Sequence, residues 1–300
     1  MNRTAITIIA VLLSCSAMAQ DFTRHEFSVN TGGGVSGFQF RPTVGKDHWK
    51  GTTTFGLGYH YFFRPNWGIG TGINFAVYNG KISIKNYNQQ QAAINTATGN
   101  AFLFLTSLSN YNETQQAMMI TIPLMAQYQY LFGEKTAFYA ALGFKTGIPV
   151  SAKSQSKGAF TTKGYYPNLN VTYEDLPDYG FVTDQPFPDD NTCIGLKTAF
   201  MTSAECGVIW RLVKMTSLYA GIYVDYGLNN MLDRKIVANR NLVVYQFYSP
   251  AQFAYNTAAN SYARKMKPIA AGVTLRFVFG RKTERYVSNV TGNKTKYLVK

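Results

Sequence analysis

Residues 265–279 read KMKPIAAGVTLRFVF, and their alternation decides the fold class of the chain. Every second residue from position 269 is apolar, and the series ends in the aromatics Phe277 and Phe279. The residues between them are mostly small or polar and include Arg276. Because the side chains of a strand alternate between the two faces of its sheet, the pattern predicts a β-strand with one apolar face that ends in aromatic rings.

The same alternation recurs along the chain, and its repetition predicts a transmembrane β-barrel. Such barrels turn an apolar band, bordered by aromatic residues, toward the lipid. With the last strand, the recurrences give an all-β fold, an up-and-down antiparallel transmembrane barrel of about eight strands. The other predicted strands lie at 25–40, 51–63, 67–77, 115–130, 136–150, 199–210 and 217–228.

The connections between these strands alternate in length. Outer-membrane barrels have short periplasmic turns and long extracellular loops, so a periplasmic N-terminus places the long connections outside. A soluble β-sandwich would explain the strands, but not the aromatic-ended faces or the regular alternation of loop length. The long connections are 41–50, 86–110, 151–194 and 229–263, and the short ones are 64–66, 133–135 and 213–216.

The N-terminus predicts export. Residues 1–19 have a basic start at Arg3, a short apolar run at 6–13 and an A-x-A cleavage site at 17–19, so the mature chain should begin at Gln20. The alternative is a lipoprotein signal, since Leu-Leu-Ser-Cys precedes that site. No later apolar run approaches the ~20 residues of a spanning helix.

The predicted organisation has three parts: a signal peptide at 1–19, a barrel at 20–279 and a basic periplasmic tail at 280–300. The tail holds six Lys or Arg residues against Glu284. It is interpreted either as a disordered extension or as a segment that contacts the cell wall electrostatically.

The composition agrees with this class of protein. The 300 residues include 21 Tyr and 21 Phe, only 15% are charged, and the net charge is +14. Nucleic acid is not expected as a partner, because the chain is exported and shows no Lys/Arg stripe with interleaved stacking aromatics. Basic residues at an outer-membrane surface instead contact lipid phosphates. The expected partners are outer-membrane lipid, lipopolysaccharide, the cell wall and other envelope proteins.

The chain carries four short motifs: AMAQ at 17–20, ITIPL at 120–124, ALGFK at 141–145 and GVTLRF at 272–277. Together they resemble outer-membrane β-barrel proteins of Bacteroidetes. The likeness covers nearly the whole mature chain and implies a location in the bacterial outer membrane. Within that group the chain is similar to PorT-type secretion components and to small OmpA- and OmpW-like barrels. It departs from many such chains by continuing beyond the aromatic end of the last strand, from Gly280 to Lys300.

No residue pattern predicts catalysis or a cofactor. The three histidines, His25, His48 and His60, form no recognisable Ser/His/Asp arrangement, so the protein is not expected to be an enzyme. Beyond the predicted signal, Cys193 and Cys206 lack C-x-x-C metal spacing, and a disulfide between them is left open.

One segment reverses the basic character of the chain. Six of the 15 acidic residues lie between positions 174 and 190, on a predicted external loop. Calcium prefers clustered carboxylates, but the spacing is not that of an EF-hand, and a solvated acidic loop that pairs with lysines is favoured. The candidate cation ligands are Glu174, Asp175, Asp178, Asp184, Asp189 and Asp190.

A charged cluster is predicted inside the barrel. Lys145, Glu205 and Asp225 all fall on inward faces and at similar heights above the short turns. An eight-stranded barrel is filled by side chains, and buried charges must be paired. We therefore expect a lysine–carboxylate cluster, joined by Arg276 and hydrogen-bonded by Tyr219 and Tyr223. A structural role is favoured over a gate.

The predicted function is a structural anchor or surface-interaction protein with a plugged lumen. The alternatives are a narrow channel for small or apolar solutes and a component of a secretion machine. Conductance separates the channel from the anchor, and co-purification of a large complex identifies the secretion component.

Overall fold

A computed structural model describes residues 24–40, 43–95, 98–133, 135–189, 191–213, 216–233, 241–246, 251–263, 265–282, 285–288 and 294–297. In this part of the chain the secondary structure is almost all β, with one 3₁₀ turn at Pro177–Tyr179 and one short helix, α1, at Ala258–Tyr262. The strands in chain order are β1 (Arg24–Gln39), β2 (Lys46–Phe62), β3 (Trp67–Ile94), β4 (Ala101–Leu131), β5 (Thr136–Tyr166), β6 (Val171–Tyr173), β7 (Gln185–Pro186), β8 (Asn191–Cys193), β9 (Ala199–Val213), β10 (Thr216–Gly227), β11 (Val243–Gln246), β12 (Gln252–Tyr255), β13 (Lys267–Lys282), β14 (Arg285–Ser288) and β15 (Lys294–Tyr297).

Eight of these strands form a closed antiparallel barrel. The ring runs β1–β2–β3–β4–β5–β9–β10–β13, and β13 returns to β1 in a continuous register from Arg24↔Lys282 to Gln39↔Lys267. Closure leaves no unpaired edge in the ring. The predicted fold class, an eight-stranded up-and-down barrel, is confirmed.

The barrel is apolar outside and polar inside. Phe75, Leu124 and Leu142 are about 60% exposed, whereas the inward Thr121 and Gln127 of β4 are buried. A surface of this kind must be covered by something other than water, because so many large apolar side chains are rarely exposed together. Aromatic side chains border it near the short turns, at Trp67, Tyr130, Phe138, Trp210 and Phe279.

The strands in the middle of the chain are longer than expected. The segment 86–110 was expected to be a loop, and that expectation is wrong: β3 continues to Ile94, β4 begins at Ala101, and the two pair up to Ile94↔Ala101. The reason is a change of pattern. Here Phe102, Phe104 and Leu108 point inward and are buried, whereas Ser107 and Ser109 are exposed on the outward face, unlike the apolar outer face of the barrel wall.

The segment 151–194 is also more regular than expected. β5 runs on to Tyr166, and the short strands β6, β7 and β8 then fold back as antiparallel partners of it. The expected loop at 229–263 holds the hairpin β11–β12 and helix α1. Most of the irregular chain predicted at this end is therefore ordered.

Two strand ends differ from the prediction by a few residues. β2 begins at Lys46, inside the loop expected at 41–50, and β13 continues beyond Phe279 to Lys282. The predicted signal peptide, the cleavage site and much of the tail lie outside the described residues. No helix among the described residues has both the length and the apolar character to cross a membrane.

The close approach of β1 and β13 depends on glycine. Gly34 and Gly272 are direct partners, and a Cβ on Gly34 would lie 2.2 Å from the carbonyl oxygen of Ala271. Real Cβ atoms essentially never come so near, so a larger residue would push these strands apart at the seam that closes the barrel.

Candidate functional site

The lumen is filled by three polar layers, of which the lowest lies near the short turns. Arg24 Nε is 2.9 Å from Glu26 Oε1, and Tyr219 Oη donates to Glu26 Oε2 at 2.9 Å. Gln129 accepts from Arg24 at 2.8 Å and donates to Tyr219 at 2.7 Å. Strands β1, β4 and β10 are thereby joined across the interior.

The middle layer is built around Arg276 of β13. Its Nη2 lies 2.5 Å from Glu205 Oε1 on β9, and its Nη1 contacts Gln127 Oε1 at 3.0 Å and His60 Nε2 at 2.9 Å. Tyr139 Oη donates to the same Glu205 oxygen at 2.7 Å. One guanidinium thus joins strands β2, β4 and β9, which suits its fork of several donors.

The upper layer pairs Lys145 of β5 with Asp225 of β10. Lys145 Nζ lies 2.8 Å from Asp225 Oδ1, and Ser203 Oγ donates to the same oxygen at 2.7 Å. Tyr78 Oη reaches Asp225 Oδ2 at 3.4 Å. The lysine ammonium also lies 5.3 Å from the ring centre of Tyr223.

The four predicted lumen residues therefore lie together, but as two adjacent ion pairs. Lys145 binds Asp225, while Glu205 takes Arg276, which sequence reasoning treated only as an addition. Tyr219 hydrogen-bonds to Glu26 in the lowest layer. The hydroxyl of Tyr223, expected to hydrogen-bond, has no partner among the described residues.

The charges of these layers balance. Three cations, Arg24, Lys145 and Arg276, face three carboxylates, Glu26, Glu205 and Asp225. Between the middle and upper layers lies a cavity of about 70 Å³. A water molecule in liquid occupies about 30 Å³, so this space is on the scale of two waters. The arrangement is suited to holding the strands together and closing the lumen.

Beyond the barrel wall, the long strands carry a second folded region, here called the cap: residues 84–94, 101–113 and 152–166 of β3, β4 and β5, with 241–246 and 251–263 packed inside them. Its core is aromatic. Tyr245 of β11 packs against Phe102 and Phe104 with ring centres 5.5 and 5.0 Å apart, and Phe160 packs against Phe253 of β12 at 5.5 Å. Burial of these rings stabilises the cap in the manner of a soluble protein core.

A buried carboxylate fixes helix α1 to the cap. Glu113 of β4 has no exposed surface and accepts from Tyr111 Oη at 2.6 Å and Gln115 Nε2 at 2.7 Å. It also accepts from the backbone N–H groups of Ala258 and Ala259, the latter at 3.2 Å. Each of its two oxygens accepts from two donors, so the buried carboxylate is fully hydrogen-bonded without a cation.

The cap holds a large polar cavity of about 1300 Å³ beside the edge of β3. β2 pairs with β3 only up to Ser83, so the upper part of β3 leaves room for it. Its lining is rich in Asn, Gln, Ser and Thr, and Tyr87 and Tyr262 form an edge-to-face pair there with ring centres 5.5 Å apart. Burial raises the pKa of Tyr262 to about 12, so its hydroxyl is neutral at physiological pH.

Two buried polar atoms of the cavity lining have no hydrogen-bond partner among the described residues. They are Gln89 Oε1 and Ser261 Oγ, on side chains that are 7% and 9% exposed. Gln89 uses its amide nitrogen to donate to the Tyr262 hydroxyl. Among the described residues of the lining, Lys163 is the charged one, and it is paired with Glu174 at 2.6 Å. The described part of the lining is therefore mainly polar and close to neutral.

The acidic segment does not converge on a single point. Glu174 pairs with Lys163, Asp175 accepts from Thr183 at 2.5 Å, and Asp189 accepts from Gln155 at 2.7 Å. Asp190 lies outside the described residues. Across the described chain there is no group of three or more His, Cys, Asp or Glu side chains that could hold a metal ion.

The histidines and cysteines are dispersed. His25 Nδ1 contacts Tyr59 Oη at 2.7 Å on the outer surface near the short turns, and His60 contacts Arg276 in the lumen. Cys193 is exposed and Cys206 half-buried, and both thiols are free.

Sequence reasoning missed several members of these networks. Arg24 and Glu26 lie at the start of β1, where alternation is short. Glu113 falls between the loop expected at 86–110 and the strand predicted from 115, so it was assigned to neither. For Gln127 and Gln129 a signal existed: both occupy inward positions of a predicted strand, where polar residues fill a narrow barrel.

Comparison with known proteins places the chain in a family. A family model described as "Outer membrane protein beta-barrel domain" matches residues 18–233. No curated protein matches the sequence significantly.

Solved structures with a similar fold are distant. OprG of Pseudomonas aeruginosa is 12% identical, with a TM-score of 0.35 over 87% of this chain and 97% of that one. Neisserial surface protein A is 8% identical (TM-score 0.34, 84% and 95% covered), and the barrel domain of Pseudomonas aeruginosa OprF is 9% identical (0.32, 85% and 97%). Such distant likenesses carry no functional argument. The family match spans most of the chain and agrees with its closed barrel and apolar outer surface, so the chain belongs to the outer-membrane β-barrel family and resides in the bacterial outer membrane.

Proposed function

We propose that this protein is a surface-interaction protein: a closed barrel anchors the cap in the outer membrane, and the cap binds a partner outside the cell. The observation that carries the proposal is the contrast between the two ends of the molecule. The lumen is filled by charge-balanced side chains, whereas the cap keeps a large polar cavity.

The filled lumen supports an anchor over a channel. A solute would have to displace the Lys145–Asp225 and Arg276–Glu205 pairs and separate buried opposite charges. Breaking one buried pair costs about 3–5 kcal/mol, so spontaneous opening of two is rare. A gate remains the alternative, in which an external signal breaks the upper pair.

Single-channel recording tests the closed lumen. Purified protein in planar bilayers should show no conductance steps, and a variant that removes the upper layer, Lys145→Ala with Asp225→Ala, serves as the opened comparison. Steady conductance by the unaltered protein would refute the anchor. Conductance by the double variant alone would favour a gate.

The chemistry of the cavity supports an uncharged, hydroxyl-rich ligand, such as a neutral saccharide. Amide side chains offer both donors and acceptors, which matches the dual character of sugar hydroxyls. The tyrosine pair adds apolar ring surface beside polar tips. The described lining residues include one lysine, which is already paired with Glu174, so they offer little to a strongly charged ligand.

Labelled neutral hexasaccharides of glucose, mannose, xylose and N-acetylglucosamine are suitable probes. At least one should bind the unaltered protein, and Gln89→Ala should weaken that binding about tenfold, the effect of losing one buried hydrogen bond. Gln155→Ala, which removes an amide outside the cavity, is the matched control. Failure of all probes, or equal binding by both variants, would contradict a saccharide site.

A component of a secretion machine is the other alternative function. It predicts co-purification of a large complex from cross-linked membranes. The likeness to Bacteroidetes barrels rests on the four motifs quoted above. We expect no catalysis, because the histidines form no recognisable Ser/His/Asp arrangement in the sequence. We expect no nucleic-acid partner, because the sequence shows no Lys/Arg stripe with interleaved stacking aromatics.

A further inference from the structure

A group of lysines lies on the outer surface of the barrel, just beyond its apolar band. We call Lys50 of β2, Lys81 of β3, and Lys153 and Lys157 of β5 the lysine row. All four side chains are exposed or half-buried. Their strands are consecutive in the ring, with β4 between β3 and β5.

One member of the lysine row contacts a hydroxyl on β4, and a second lies directly opposite that residue. Lys50 Nζ lies 3.4 Å from Thr114 Oγ1 on β4, so this side chain reaches across β3. Lys81 of β3 is the direct cross-strand partner of Thr114. Directly opposite residues have side chains roughly 5 Å apart at Cβ, so both ammonium groups can reach the space in front of Thr114.

The other two members flank the same point on β5. Thr114 pairs with Gln155, and the neighbours on this face, Lys153 and Lys157, lie two residues below and above it. With strands about 4.8 Å apart and a rise of about 3.3 Å per residue, the Cα atoms of Lys81 and Lys153 are about 12 Å apart. That is the scale of a disaccharide with a phosphate at each end.

The lysine row lies at the height of lipid head groups. Along the outward face of β3, the apolar Phe75 and Val77 come before Lys81. On β4, the apolar Met118 lies one outward position below Gln116, which is the cross-strand partner of Lys153. Phe75, Met118 and Val150 are exposed apolar side chains. At ~3.3 Å per residue and a tilt of ~40°, the row lies about 5–10 Å above the band's edge.

The charges of the lysine row are not balanced within the described chain. None of its four members is in an ion pair there, unlike Lys163 with Glu174 and Lys197 with Asp233. Among the described residues, one carboxylate, that of Asp189, lies beside these lysines, where Gln155 donates to it. In this part of the chain four cations therefore face one hydrogen-bonded carboxylate, and the patch beside the outer leaflet is strongly positive.

We propose that the lysine row binds the phosphates of lipid A, the phosphorylated glycolipid anchor of lipopolysaccharide in the outer leaflet. The acyl chains lie on Phe75, Met118 and Val150, and the ammonium groups contact the phosphates. Thr114 and Gln116, which lie between the lysines, hydrogen-bond the sugar hydroxyls. A phospholipid offers one phosphate and no sugar ring, so it fits this mixed surface less well.

Binding of purified lipopolysaccharide to the full-length protein in neutral detergent tests the site. The variant Lys50→Gln/Lys81→Gln/Lys153→Gln should bind about 100-fold more weakly, because each cation near an anionic surface contributes about fivefold. Lys163→Gln, which removes a cation of the same strand high in the cap, should bind like the unaltered protein. Enzymatically dephosphorylated lipopolysaccharide should lose most of its affinity for the unaltered protein.

Three results would overturn the proposal. They are equal binding by the triple variant and the control, equal binding of the dephosphorylated glycolipid, and equal binding of phosphatidylglycerol, which would indicate a general anionic contact. Should the triple variant not fold, Lys81→Gln and Lys81→Arg replace it. The arginine variant should restore binding, and failure of that rescue would count against a charge-based site.

Discussion

Replacement of Glu113 by Ala should release helix α1 from the cap while the barrel stays intact. The carboxylate accepts from the backbone N–H groups of Ala258 and Ala259 and from Gln115, all in a fully buried place. Tyr111 also contacts Ser156 at 2.9 Å and so keeps a partner.

The size of the effect follows from the donors that are left behind. Three buried donors lose their acceptor, and each unsatisfied group costs about 1–3 kcal/mol, part of which water entry recovers. We expect a local loss of about 3–5 kcal/mol, comparable to breaking a buried pair. Since 1.4 kcal/mol is tenfold in an equilibrium constant, opening of the α1 segment should increase by roughly 10²–10⁴.

Hydrogen exchange of residues 251–263 in detergent measures this opening, and the heat-dependent gel mobility of the barrel reports the rest of the fold. Glu113→Gln keeps one acceptor oxygen, so its exchange rate at 251–263 should lie between those of the unaltered protein and Glu113→Ala. Glu174→Ala is the control, because a surface ion pair contributes at most about 1 kcal/mol. If Glu113→Ala exchanged no faster at 251–263 than the control, the anchoring role of this carboxylate would be refuted.

Three other perturbations test the barrel itself. Lys145→Ala should lower barrel stability in thermal unfolding by about 3–5 kcal/mol, because it leaves Asp225 unpaired. The double variant Lys145→Met/Asp225→Leu should recover most of that stability, and no loss in the single variant would contradict a paired role. Gly143→Val should prevent folding in detergent, because a Cβ there would lie 2.0 Å from the carbonyl oxygen of Leu124; normal folding yields would show that the strands can separate. A membrane-impermeant maleimide should label intact cells at the exposed Cys193, and labelling only after permeabilisation would reverse the assigned orientation.

The barrel half of the fold was predictable because its signal is local. Along β5, for example, Phe138, Leu142 and Phe144 alternate with small or polar residues, and the structure exposes all three. Alternation also placed Lys145 on the inward face. It could not decide partners, because those depend on how neighbouring strands are staggered, and the register pairs Lys145 with Met201 rather than with Glu205.

The strands of the cap could not be predicted from an apolar outward face that alternates with a polar inward one, because in the cap the inward face is the apolar one. Asn and Gln are frequent in 86–116, which is typical of loops. Two register shifts also interrupt the alternation: β4 and β5 slip between Ser109 and Asn112, near Asn110 with its positive φ of 50°, and again between Met118 and Met119. Beyond such a bulge, counting every second residue along the strand assigns residues to the wrong face.

The two halves of one strand therefore obey opposite chemistry. In the wall, β4 turns Leu124 outward and Gln127 inward, whereas in the cap it turns Ser107 outward and Phe104 inward. The outer surface changes from apolar to polar between Met118 and Gln116, which is the level of the lysine row. Below that level the interior is held by polar pairs because lipid covers the outside; above it water covers the outside, and apolar burial holds the interior. Lumen and cap thus rest on different forces, and a change such as Glu113→Ala can open one while sparing the other.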